Sequence, residues 1–239
     1  MSKILYISDL HLFDKRNLPG RDERLLSSLA ELIKANHYKA VVNLGDTISR
    51  KEFLPDDADT IHAFKEYINW RDSLNVPFRE CAIFRERPFF KTLFAQEEDS
   101  IWNGIAGASI LTFSPLHEDD HQATDGQWRW LSEQIDAAGE NVLLINSHVP
   151  YPGSCSRPVT PGIFLPVPEA IQRQLETRSM PVFWAGGHFH WNEEPPMVKG
   201  SLTAFMGGRF LIDSEPRKTT YLRELDIETL QLNTIREIQ

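Results

Sequence analysis

Six side chains in this sequence have the types and spacings that suit holding divalent metal ions: Asp9, His11, Asp46, His148, His188 and His190. In Ser8-Asp9-Leu10-His11 a carboxylate and an imidazole stand two residues apart, and in an extended backbone that spacing turns both to the same side. Gly187-His188-Phe189-His190 repeats the spacing with two imidazoles, and Gly45-Asp46 and Ser147-His148 each add one ligand. Singly, each has an ordinary explanation: Asp-x-His serves caps and turns, Gly-Asp makes a bend, and a lone histidine is commonly packed in a core. Together, carboxylate and imidazole suit Mn2+, Fe2+ or Zn2+, and they argue against an all-oxygen Ca2+ cage or a thiolate zinc site.

Four apolar segments must position these groups. Lys3 to Ser8 and Ala40 to Leu44 have the β-rich runs of buried strands, and each ends at candidate ligands. Arg21 to Asn36 places Leu25, Leu26, Leu29, Leu32 and Ile33 on one helical stripe. Ala58 to Leu74 predicts a second helix with Ile61, Phe64 and Ile68 inward, and Phe78 to Ile83 a third strand. The resulting β-α-β-α-β pattern argues for a parallel or mixed sheet covered by helices. Gly107 to Phe113, a helix from about Thr124 carrying Trp128, Leu131 and Ile135, and apolar strands at Val142 to Ser147 and Val182 to Ala185 follow. The last forty or so residues alternate in short β-like segments, including Thr219 to Leu225 and Thr229 to Ile235, which implies a second, more antiparallel sheet. Four strands thus end in candidate ligands, at the edge where open α/β sheets usually place their sites.

In this order and on these elements, Asp9-x-His11, Gly45-Asp46, His148 and Gly187-His188-x-His190 resemble the calcineurin-like metallophosphoesterases. The resemblance spans roughly residues 3 to 210 and implies an α/β fold, a two-layer mixed β-sandwich flanked by α-helices, as one domain over residues 1–239. It also implies a binuclear centre. One metal would take Asp9, His11, Asp46 and His190, and the other would share Asp46 and take His148 and His188. In the family mechanism a metal-bound hydroxide attacks phosphorus in line while the metals neutralise the phosphoryl oxygens. The implied activity is metal-dependent phosphoester hydrolysis, nearest a phosphodiesterase on a small or nucleotide-like ester. The helix containing Gln127, Trp128 and Leu131 resembles the branch that includes cyclic nucleotide phosphodiesterases.

The sequence departs from the family in one place. A Gly-Asn-His-Asp or Gly-Asn-His-Glu motif is expected after the third strand, but Val76-Pro77 opens a strand that runs into Ala82-Ile83-Phe84-Arg85-Glu86-Arg87. Aligned without gaps, Phe84 replaces the metal-binding Asn and Arg85 the His that assists the leaving group. Phe cannot ligate a metal, and Arg stays charged, so the second metal site is expected to be the weaker one. Arg85 or Arg87 would instead grip phosphate oxygens, which a guanidinium matches bidentately, with Arg85 and Asp46 as the catalytic pair. The alternative is a solvated arginine run paired with Glu86.

Composition bounds the rest. Of 239 residues 41% are hydrophobic and 25% charged, which is ordinary for a globular chain. The net charge of −9 gives no basic footprint for nucleic acid or anionic lipid, although bound cations would reverse the field locally. A small phosphate ester is the expected partner, a nuclease of the same superfamily is the less favoured reading, no membrane partner is expected, and homo-oligomerisation is left open. Cys81 and Cys155 lack the number and spacing of a disulfide framework, which fits a reducing, cytoplasmic setting. The Pro- and Gly-rich run from Pro150 to Pro168 is a loop beginning just after His148. It is expected to wall the substrate cleft. Loss of the Asn-His pair also keeps open a non-catalytic binding or scaffold module.

Overall fold

The computed structural model describes residues 2–14, 17–49, 58–83, 86–115, 122–155, 164–189, 195–209 and 221–236. The first half follows the expected rhythm: β1 (Lys3–Ile7), α1 (Arg21–Asn36), β2 (Ala40–Asn43), α2 (Ala58–Asp72) and β3 (Phe78–Glu80). Strands β1, β2 and β3 pair in parallel, with Ile4 opposite Ala40 and Val41 opposite Phe78. After β3, a helical turn α3 (Arg87–Phe89) runs into π-helical Phe90–Phe94. Then come β4 (Ser100–Ile105), β5 (Ala108–Thr112), α4 (Asp125–Ala137), β6 (Val142–Ser147), α5 (Glu169–Glu176) and β7 (Val182–Gly186). The last strands are β8 (Met197–Lys199), β9 (Leu202–Met206), β10 (Gly208–Arg209), β11 (Tyr221–Asp226) and β12 (Gln231–Ile235).

Two mixed sheets result. One has the order β10-β11-β1-β2-β3 with β12 on β11, and the other β4-β5-β6-β7-β9-β8. Because side chains alternate along a strand, each sheet buries two faces. Ile4, Tyr6, Val42 and Leu44 of the first sheet meet Ile110, Leu144, Phe183 and Phe205 of the second in the core between them. Leu5, Ile7 and Val41 face outward to Leu29 and Ile33 of α1 and Phe64 of α2. Leu143, Ile145, Val182 and Trp184 face outward to Leu131 and Ile135 of α4 and Leu175 of α5. Helices therefore cover the outer face of each sheet. Among the described residues no helix is long and apolar enough to cross a membrane.

Three expectations are corrected. The C-terminal strands do not build the second sheet: β11 pairs antiparallel with β1, and β12 with β11. The reason is that β1, buried on both faces, must satisfy its backbone on the edge that β2 leaves open. The second sheet is instead mainly parallel, through β5, β6, β7 and β9. On α2 the buried face is Thr60, Ala63, Phe64 and Tyr67, with Ile61 and Ile68 only partly covered. Tyr67 turns inward because its hydroxyl bonds to Asn43 and Glu80 beneath the sheet edge. Finally, β3 stops at Glu80, short of Ile83.

Candidate metal centre

The ends of β1 and β2 do not separate where the strands stop. Asp9 N–H donates to Gly45 O at 2.9 Å, His11 N–H to Asp46 O at 3.2 Å and Leu12 N–H to Thr47 O at 2.9 Å. This zipper carries Asp9 and His11 alongside Asp46, and one ligand atom from each of the three lies within 4.8 Å of the others. Among the described residues they form the one such cluster. His11 Nδ1 is 3.6 Å from Asp46 Oδ2. Asp9 and His11 converge by a different route from the extended alternation expected, since both lie beyond β1 with left-handed backbones, φ 54° and 46°. Asp46 and His188 share that conformation, at φ 52° and 71°. Such backbones are uncommon for residues with a Cβ and collect where function constrains the chain.

The first turn of α1 and Asn17 just before it brace this loop. Buried Arg21 donates to Leu10 O at 2.7 Å, and Asn17 Nδ2 to His11 O at 3.0 Å. Phe13 N–H donates to Asp22 at 2.7 Å. The carbonyls and amides that left-handed residues take out of a regular ladder are thereby satisfied.

His148 follows β6, at a bend held by Ser147 Oγ, which donates to Val149 O at 2.6 Å and accepts from Trp184 Nε1 at 2.9 Å. Its Nδ1 lies 2.9 Å from Leu44 O, so an Nδ1–H donated there leaves the Nε2 lone pair as the ligand. Burial lowers its pKa to about 3, so the ring is neutral, as a metal ligand must be. Nε2 is 3.1 Å from His188 Nδ1, close enough for one ion to reach both nitrogens. His188 is joined to the first cluster by its own N–H, which donates to Asp9 Oδ2 at 3.1 Å; the same oxygen accepts from Ser8 Oγ. Two glycines make room for this convergence. A Cβ on Gly187 would overlap Ser8 Oγ and come within 3.1 Å of His148 Nδ1. Gly45, at φ 96°, leaves no space beside Ile83 and Cys81 O.

Of the expected ligands, the structure thus groups Asp9, His11 and Asp46, pairs His148 with His188, and links the two sets through Asp9. His190, Phe84 and Arg85 lie outside the described residues, as does 156–163 of the Pro-rich loop. The loop's far end folds back, with Leu165 N–H donating to Pro150 O at 3.1 Å and Phe164 packed on Phe189 at 5.5 Å between ring centroids. Arg87 pairs its guanidinium with Glu98 and not with the neighbouring Glu86 of the solvated-run reading. Glu86, expected at the surface, is 1% exposed and accepts the Thr47 N–H at 2.9 Å. Burial and the charge of Asp46 raise its pKa to about 8. Sequence reasoning missed it, although the expected motif ends in an acidic residue and Glu86 stands at that place.

No family model matches the chain, and no curated protein matches it significantly. Solved structures do. A dimetal phosphatase from Danio rerio aligns over 98% of both chains with 13% identity and a TM-score of 0.68. The protein TT1561 of Thermus thermophilus covers 100% of this chain and 99% of its own, at 12% identity and TM-score 0.56. GAP50, the anchor in the inner membrane complex of Plasmodium, covers 98% of this chain and 88% of its own, at 11% identity and TM-score 0.57. With two mixed sheets layered between helices and these structural neighbours, the chain has the calcineurin-like metallophosphoesterase fold.

Proposed function

We propose that this protein is a metal-dependent phosphoesterase, acting as a phosphodiesterase on a small or nucleotide-like ester. The observation that carries the reading is the convergence of Asp9, His11 and Asp46, at strand ends of one sheet, with the facing nitrogens of His148 and His188, at strand ends of the other. The donor set fits divalent Mn, Fe or Zn, and the Gly187 cradle fits a centre into which ligands are drawn from two sheets. His190 is assigned as a further ligand on its sequence spacing. Two bound cations would supply the charge that neutralises phosphoryl oxygens and activates water for in-line attack.

The chain's own residues prepare that chemistry. Asp9 is kept an acceptor by Ser8 and the His188 amide, and His148 is kept neutral by burial; Asp46 is assigned as the carboxylate that both ligand sets would share. Arg85 is assigned to the departing oxygen as a fixed positive charge, so the best substrates are those whose leaving group needs little protonation. Turnover of bis-p-nitrophenyl phosphate with added Mn2+ tests the reading. Wild type should hydrolyse it, and Asp46→Asn should lose activity by at least about 100-fold together with bound metal, since a full charge leaves the position between two cations. An Asp46→Asn protein with full metal content and activity would refute the assignment.

A second reading is a binding or anchoring module that keeps metal without turnover. It is favoured by Phe84-Arg85 standing where the resemblance expects Asn-His, and by an anchor protein among the structural neighbours. Stoichiometric Mn2+ with no hydrolysis of any phosphodiester would decide for it.

A further inference from the structure

Building on the phosphoesterase reading, we infer that Glu86 and Asn43 are positioning residues that clamp the Gly45–Thr47 turn and so present Asp46 to the metals before any metal binds. Asp46 has φ 52°, a left-handed backbone that is uncommon for a residue with a Cβ and that its neighbours hold in place. Two side chains outside the turn fix the residues on either side of it. From below, Asn43 at the end of β2 accepts the Gly45 N–H at 3.2 Å and donates to Thr47 Oγ1 at 2.8 Å. Its amide also donates to Tyr67 OH at 3.0 Å, and Tyr67 donates to Glu80 at 3.1 Å, which anchors the bracket in α2 and β3. From the side, Glu86 accepts the Thr47 N–H at 2.9 Å.

Glu86 is not a member of the Asp9, His11 and Asp46 cluster. Its carboxylate reaches the site through the Thr47 backbone, so the property that matters is reach, and charge is secondary. Two substitutions separate these. Glu86→Gln keeps the length and an acceptor oxygen but removes the ionisable carboxyl, whereas Glu86→Asp keeps the carboxyl and is one methylene too short.

The test is calorimetric titration of Mn2+ into the metal-stripped full-length protein and its variants, with near-UV circular dichroism as the check on folding. Glu86→Gln should bind Mn2+ within about threefold of wild type, while Glu86→Asp and Asn43→Ala should each bind about tenfold more weakly. Equal losses for Glu86→Gln and Glu86→Asp would mean that the carboxyl group itself is needed, as in direct ligation, and would overturn the clamp. So would unchanged binding in every variant while wild type binds. A wild-type chain that takes up no Mn2+ would refute the phosphoesterase reading as well. Should the weak variants fail to fold, amide exchange in the wild type decides. The Gly45 and Thr47 amides should be protected in the metal-free protein, and fast exchange that slows only when Zn2+ is added would show that metal holds the turn.

Discussion

At the scale of single residues, burial sets the charge states of His148 in the candidate centre and of Glu86 beside it, and the two pull stability in opposite directions with pH. His148 is lowered to about 3 by burial, so between its ordinary pKa of 6.5 and that value the unfolded chain binds the extra proton. Its contribution is complete above pH 6.5 and is lost as pH falls toward 3. Glu86 is raised from 4.5 to about 8 by burial and Asp46, so its contribution is complete below pH 4.5 and is lost as pH rises through 8. These two effects offset one another from pH 4.5 to 6.5, and of the two only the loss from Glu86 continues above that. For metal-free protein the slope there is at most about 1.4 kcal/mol per pH unit. Melting curves between pH 6.5 and 8 should therefore fall for wild type and flatten for Glu86→Gln. Parallel curves would show that Glu86 is ionised in the folded chain. The ligand types were legible in the sequence because Asp and His have few uses at strand ends in pairs. Glu86 was not, because next to two arginines it reads as a solvated charge, and only the fold turns it inward against Thr47.

At the scale of elements, α1 and the four strand-end segments were readable from apolar periodicity, and α1 runs over the expected residues, Arg21–Asn36. Helix α4 was equally legible from Trp128, Leu131 and Ile135, and the structure adds a capping box of Thr124 and Gln127 at its start. Helix α5 was missed: eight residues beginning just after Pro168 offer too few turns for a stripe, and the preceding prolines mask its onset. The left-handed residues at Asp9, His11, Asp46 and His188 were also invisible, because a non-glycine φ above zero is imposed by the two connections zippered beyond β1 and β2 and by the β7 turn. That β7 turn yields a prediction. Gly187→Ala would drive a Cβ into Ser8 Oγ and against His148 and Asp9, pushing His188 off its hydrogen bond to Asp9. It should cost about 1–3 kcal/mol of stability and weaken Mn2+ binding by about tenfold. Unaltered melting and titration curves would mean that the turn has slack which the packing does not show.

At the scale of the whole molecule, function depends on bringing segments from distant parts of the chain to one edge. The β1 and β2 ends supply Asp9, His11 and Asp46 from the first sheet, and the β6 and β7 ends supply His148 and His188 from the second. The core between the sheets, with Tyr6 against Phe205 at 5.2 Å, fixes the distance between these ligand sets. The parallel β-α-β half was foreseeable from its repeating pattern, whereas the return of β11 and β12 to the first sheet was not, because local periodicity carries no information about which strand a late segment will pair with. The central claim is that the two ligand sets hold two metal ions, and anomalous scattering from crystals grown with Mn2+ and phosphate tests it most directly. Two manganese peaks are expected where the strand ends of the two sheets meet, one within about 2.3 Å of Asp9, His11 and Asp46 atoms and the other similarly close to Asp46, His148 and His188. Peaks absent from that place, with His148 still bonded to His188 at full Mn2+, would contradict it.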